Sequence, residues 1–253
     1  MSASTPIEQI EPIVPVQDEA RGRLGLIVVI GFIVALVAGI AFAAIAEAVL
    51  EKETVLLDQT FGAWVLGTAT PITSAIAFNI TQLGSTPVVA IGLVVACVVL
   101  VYTGRRRAAL MLLTAVVGGT VLNLLLKEIF VRPRPSFTNT YYQEVGFAFP
   151  SGYAMLSVVF YGALAYVIGN RPIGPIGGGK SLLTRHARVA LAIVAVAVAL
   201  IVGFSRIYLG VHYLTDVLAG WMAGTCWLVT CIAADKFIEA WHERRLQNKF
   251  GSP

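Results

Sequence analysis

The sequence predicts an all-α integral membrane bundle of six transmembrane helices, and three observations lead there. Charged residues are 13% of the chain and hydrophobic residues 57%, about half the charged share usual in globular domains. The charge is also segregated: Leu24–Ile45 and Val189–Phe204 contain none. Finally, the basic residues gather in four clusters between or beyond the apolar runs. These are Arg21 with Arg23, Arg105–Arg107, Arg171 with Lys180, Arg185 and Arg188, and Lys236 with Arg244, Arg245 and Lys249. Short basic loops of this kind are retained in the cytoplasm.

The chain opens on a polar, acidic stretch, 1–23, with no small-residue cleavage site after the first apolar run. It therefore reads as a cytoplasmic tail and not as a signal peptide. The spans are Leu24–Ile45, Val88–Tyr102, Ala108–Leu126, Met155–Ile168, Val189–Phe204 and Val217–Ala233. Several fall short of the roughly 20 residues that cross hydrocarbon, so the fourth is extended back to Ser151 and the sixth to Tyr213. The segment Thr54–Gln82 is apolar but interrupted by Asp58, Gln59, Pro71, Asn79 and Gln82. As a seventh span it would send Arg105–Arg107 to the side opposite Arg21 and Arg23. It is read instead as one or two amphipathic helices on the outer surface, between spans one and two. Gly84–Pro87 then turns the chain into the second span, and the Gly- and Pro-rich Gly169–Arg188 is a cytoplasmic connector. The organisation is thus a tail over 1–23, a membrane domain over 24–235 and a second cytoplasmic tail over 236–253, in a plasma membrane.

Some residue types are silent. Cys97, Cys226 and Cys231 lie inside apolar runs without zinc or disulfide spacing and read as buried hydrophobes. Trp64, Trp221, Trp227, Trp241 and the Tyr141-Tyr142 pair read as interface anchors. The net charge of +4 carries no aromatic-interleaved basic face, which excludes nucleic acid as a partner.

With six spans, a set of polar residues converges at the outer ends of the last four helices. Lys127 closes the third span, followed by Arg132-Pro133-Arg134-Pro135. Pro150-Ser151-Gly152 opens the fourth, Ser205-Arg206 closes the fifth, and His212 and Asp216 open the sixth. A helix start presents free N–H groups and a positive dipole end to an anion. Guanidinium and ammonium groups add charge-assisted hydrogen bonds suited to phosphate. The constellation predicts an oxyanion pocket, with Arg132 assigned to surface or headgroup contact.

Lys127-x6-Arg134-Pro135, Pro150-Ser151-Gly152 and Ser205-Arg206-x5-His212-x3-Asp216 resemble the three signatures of the type 2 phosphatidic acid phosphatase family. The resemblance implies that Lys127, Arg134 and Arg206 hold phosphoryl oxygens with the Ser151 hydroxyl and the Gly152 backbone. It implies His212 as a nucleophile that forms a phosphohistidine, with Asp216 orienting its ring. One position departs: the histidine that ends the family's second signature, and protonates the leaving group, is Tyr153 here. A phenol donates a proton at neutral pH but is a weaker acid than imidazolium.

The expected activity is hydrolysis of a lipid phosphate or diphosphate at the extracytoplasmic face, using no cofactor and no metal. Phosphatidate, phosphatidylglycerol phosphate, diacylglycerol diphosphate and polyprenyl diphosphates are the candidate substrates. An attenuated protein that binds or transports lipid phosphates, or a phosphotransferase using the same site, is the alternative.

Overall fold

The protein is described from a computed structural model over residues 16–136, 144–170 and 183–250. Its helices are α1 (Val16–Leu50), α2 (Val55–Gly67), α3 (Pro71–Thr81), α4 (Thr86–Tyr102), α5 (Arg106–Phe130), α6 (Gly152–Asn170), α7 (Arg185–Tyr208) and α8 (Leu214–Phe250). A short 3-10 turn, Gln82–Gly84, joins α3 to α4. The chain is an all-α, multi-pass integral membrane protein. Stretches of α1, α5, α6, α7 and α8 are long and apolar enough to cross a bilayer. Helix α4 is apolar and has 17 residues, about 26 Å at 1.5 Å per residue. These six helices carry the six apolar runs of the sequence.

The helices outrun those runs because backbone hydrogen bonding does not stop where hydropathy does. Helix α1 begins at Val16, inside the stretch expected as a tail. Helix α8 continues past residue 235 to Phe250; its 37 residues would span about 56 Å, well beyond hydrocarbon of about 30 Å. Helix α5 ends at Phe130, where Val131 takes up a left-handed conformation (φ 45°) just ahead of Arg132-Pro133. The prolines that follow cannot continue the helical ladder.

Helices α2 and α3 meet at a 118° bend, so the pair does not form a straight rod. Their inner face carries polar side chains and much of their outer face is apolar. Asp58, Ser74 and Thr81 are buried, whereas Leu56, Leu57, Trp64 and Ile72 are exposed. Asp58, Ser74 and Thr81 look into the bundle beside Val65 and Ala77, while Gln59, Thr60, Thr73 and Asn79 share the outward face with the exposed apolar side chains.

Helix α8 lies against α1, α5, α6 and α7. Its approach to α6 depends on two glycines four residues apart: a Cβ at Gly220 would meet the Ser151 carbonyl oxygen at 2.6 Å, and one at Gly224 the Met155 carbonyl oxygen at 2.8 Å. Small residues at this spacing let helix backbones close together in membranes. Two tryptophans expected at the interface pack inside the bundle instead. Trp221 donates its indole N–H to the Ala199 carbonyl (3.1 Å) and Trp227 to that of Ala115 (2.8 Å). An indole can do this wherever a neighbouring helix leaves a carbonyl within reach. Trp64 and Trp241 are exposed, and Tyr141-Tyr142 lies outside the described residues.

The two ends of the bundle differ. At one, Arg105 donates to the Val167 carbonyl (2.6 Å), and Asp235 takes hydrogen bonds from Arg107 (3.2 Å) and Tyr166 (2.9 Å). At the other, the polar residues singled out in the sequence come together.

Candidate active site

Four helix ends and the connection after α5 build the site. Lys127 lies in the last turn of α5, Arg206 in the last turn of α7 and Asp216 in the first turn of α8. Ser151 and Gly152 begin α6, and the Ser151 amide donates to the Asp216 carbonyl at 2.9 Å, tying the α6 start to that of α8. Asn123, one turn before Lys127, reaches the Pro150 carbonyl (3.4 Å). A Cβ at Gly152 would approach the Asn123 amide oxygen to 2.8 Å, so glycine keeps this junction closed.

His212 is buried, in the short link between α7 and α8. Its Nδ1 is 3.4 Å from Asp216 Oδ2, and its Nε2 is 3.1 Å from Arg134 Nη1. A guanidinium only donates, so Nε2 accepts and the ring proton belongs on Nδ1, facing the carboxylate. Burial, followed by the charges of Arg206, Arg134 and Lys127, holds this imidazole well below its ordinary value of 6.5, with Glu144 opposing. The ring is thus neutral, with its Nε2 lone pair directed among the cations.

The cations converge as expected. Arg134 also donates to the carbonyls of Gly146 (3.0 Å) and Val211 (3.0 Å), and Lys127 to that of Phe147. Arg206 is completely buried; it donates to Thr81 Oγ1 (3.1 Å) from beside α3 and lies 3.9 Å over the Tyr153 ring. Tyr153 thus supports the face of the Arg206 guanidinium, a contact its position alone did not reveal. Ser151 Oγ is buried and has no hydrogen-bond partner among the described residues, a hydroxyl left available for an incoming oxygen.

Two acidic residues and one arginine were not expected here. Glu144, from the connection between α5 and α6, puts its carboxylate among the cations: it pairs with Arg206, lies 3.1 Å from Arg134 Nη1 and is 3.9 Å from His212 Nε2. Arg132 is not a surface residue. Its side chain is 12% exposed and bridges Asp58 (2.7 Å) and Asp216 (2.6 Å). The sequence did carry a signal for Asp58, a lone carboxylate within an apolar stretch, but one that reads equally as an interruption. Glu144 has no such signal, because only the folded connection brings it to His212.

A family model described as the PAP2 superfamily matches residues 108–238. The chain belongs to the PAP2 superfamily. Phosphatidylglycerophosphatase B of Bacillus subtilis (strain 168) is 38% identical over 115 residues, covering 45% of this chain and 52% of that protein. An undecaprenyl-diphosphatase of Sulfolobus acidocaldarius is 25% identical over 136 residues, covering 52% and 57%. The chain therefore spans just over half the length of these curated relatives. A crystal structure of a transmembrane PAP2-type phosphatidylglycerolphosphate phosphatase from Bacillus subtilis covers 81% of this chain and 96% of its own. Its TM-score is 0.73 at 27% identity. LpxE of Aquifex aeolicus, at 22% identity, 70% and 94% coverage and TM-score 0.50, shares the fold. The superfamily match begins at Ala108, so Asp58, Thr81 and the whole α2–α3 pair lie outside it.

Proposed function

We propose that this PAP2 protein hydrolyses a lipid phosphate or lipid diphosphate at the extracytoplasmic face of the plasma membrane, through a phosphohistidine on His212. The observation that carries the reading is the placement of His212 Nε2 beside Arg134 and within 3.9 Å of an anionic group, the Glu144 carboxylate, seated among the cations. That carboxylate marks where a phosphoryl group would lie: between Arg134 and Arg206, in front of the nucleophile. Lys127, Ser151 Oγ and the free amides at Gly152 would supply further donors to its oxygens.

In the first step the Nε2 lone pair attacks phosphorus and the bond to the leaving oxygen breaks. Asp216 stabilises the positive charge developing on the ring by accepting from Nδ1–H. In the second step water attacks the phosphohistidine, the N–P bond breaks, and inorganic phosphate leaves with Nε2 restored. The chemistry asks for no metal and no cofactor.

Two features support a lipid substrate. Phosphatidylglycerophosphatase and undecaprenyl-diphosphatase activities belong, by name, to the curated relatives. The other is the apolar bundle itself, whose site lies at the ends of helices long and apolar enough to cross a bilayer. The apolar cavity of about 490 Å³ between α6, α7 and α8 runs from Trp221 to Gly169 and Arg188 toward the opposite end and touches none of the site residues. Tyr153 bears on which lipid. A monoester expels an alkoxide, which needs protonation, whereas a diphosphate expels phosphate and needs little. General-acid assistance contributes about 10²–10⁴-fold, so phenol in place of imidazolium favours a diphosphate.

The test is phosphate release by purified protein from phosphatidylglycerophosphate, phosphatidate and undecaprenyl diphosphate, with excess chelator. Release, with acid-labile labelling of His212 by a phosphorus-labelled substrate, is expected. Binding of all three lipids without release would leave the lipid-binding alternative in its place.

A further inference from the structure

Asp58 lies in α2, outside the superfamily match, and yet it is 1% exposed and fully engaged. Its Oδ1 accepts from the Thr215 amide (3.0 Å), one of the free N–H groups in the first turn of α8. Its Oδ2 accepts from Thr215 Oγ1 (2.6 Å) and Arg132 Nη2 (2.7 Å). Arg132 Nη1 then donates to Asp216 Oδ1 (2.6 Å) and Thr215 Oγ1 (2.8 Å), and the guanidinium covers the Tyr213 ring at 4.4 Å. Asp216 uses its other oxygen for the Tyr213 amide (2.9 Å) and His212 Nδ1 (3.4 Å). The chain of contacts Asp58–Arg132–Asp216–His212 runs unbroken from α2 to the proposed nucleophile.

We infer that Asp58 and Arg132 are positioning residues for the catalytic His212, acting through Asp216, and that α2 is thereby a working part of the site. A lone Asp216 beside a lone Arg132 would share its charge with a full cation and hold Nδ1–H less well. Asp58 offsets that cation, so Arg132 orients Asp216 without draining it. The bridge also needs a fork: one guanidinium edge serves each carboxylate, a geometry that a lysine ammonium cannot supply to both. Partners that hold an orienting group in place are commonly needed for full activity, with losses of about 10–100-fold on their removal in metal-bound histidine systems.

The inference rests on His212 being the nucleophile of the proposed hydrolase, and its test has one arm that needs no turnover. In the first arm, kcat and KM for phosphatidylglycerophosphate and undecaprenyl diphosphate are measured for Asp58→Asn and Arg132→Lys, alone and combined with Asp216→Asn. A kcat loss of about 10–100-fold at nearly constant KM is expected for each single variant. Little further loss is expected in the Asp216→Asn background, because groups acting as a unit are not additive. A loss of equal factor in both backgrounds means Asp58 only stabilises the fold, and overturns the inference.

The second arm is nitrogen-labelled histidine NMR of the solubilised protein, with His186 and His242 replaced by Gln so that His212 reports alone. The groups facing His212 are Lys127 from α5, Arg134 and Glu144 from the α5–α6 connection, Arg206 from α7 and Asp216 from α8. These stay constant in Asp58→Asn, so its effect is read cleanly. Removal of a negative charge is expected to move the His212 titration midpoint to lower pH and to weaken the preference for the Nδ1–H tautomer. An unchanged midpoint and tautomer overturn the inference. Wild-type protein that cleaves neither lipid defeats the proposed function, while the NMR arm still decides the positioning role.

Discussion

Glu144→Gln isolates the negative charge that lies among the cations of the proposed phosphate site. The carboxylate pairs with Arg206 and lies 3.1 Å from Arg134 Nη1. Glutamine still accepts from the two charged guanidiniums. What it loses is the charge–charge attraction, at most about 4 kcal/mol per pair at about 4 Å in an effective dielectric of about 20. The Glu144 side chain is 22% exposed, so screening reduces this to about 1.4–2 kcal/mol, a factor of about 10–30. A phosphate must displace that carboxylate to enter. The assay is inhibition of turnover by inorganic phosphate: its Ki should fall by about 10–30-fold in Glu144→Gln, and the lipid KM should fall in parallel. A Ki that stays constant or rises would mean that Glu144 does not compete with phosphate, and the assignment of its position as the phosphoryl site would fail.

His212→Ala should abolish turnover and phosphohistidine labelling, Asp216→Asn should leave a residue of activity, and chelator should change neither result. Because burial and the surrounding cations hold His212 below 6.5, and the nucleophile works deprotonated, the acid limb of kcat/KM should fall below pH 6.5; a limb above it would refute the neutral-imidazole reading. Tyr153→Phe keeps the ring beneath Arg206 and should barely affect diphosphate cleavage, whereas Tyr153→His should raise monoester turnover more than diphosphate turnover; equal loss of both in Tyr153→Phe would make the phenol a working acid. Gly220→Ala drives a methyl against the Ser151 carbonyl and should destabilise by about 1–3 kcal/mol with a loss of activity, read by thermal unfolding and phosphate release. A cysteine at Ser136 should react with an impermeant thiol reagent in intact cells and one at Thr103, in the turn between α4 and α5, should not; the reverse pattern would invert the topology.

The sequence by itself determined the class of the protein and singled out most of the residues that the structure brings together at one end of the bundle. Hydropathy needs only runs of residues, so the apolar stretches of α1 and α4–α8 were legible without coordinates. The signature positions were legible because helix ends fix their depth: a lysine closing one span, an arginine closing another and a histidine opening a third must meet at one level. The sequence could not say which way α2 and α3 turn their polar side chains, since Asp58 within an apolar stretch looks the same facing water or a buried guanidinium. Nor could it place Arg132, which reads as a surface cation until two carboxylates, 74 and 84 residues away along the chain, are seen to flank it. Glu144 and Asn123 were invisible for the same reason, as was the stacking of Tyr153 on Arg206. Local patterns record burial and periodicity, whereas charge pairing depends on distances that only the closed bundle sets. The glycines of α8 that let α6 approach, and so bring the Ser151 amide to the Asp216 carbonyl, belong to that closure.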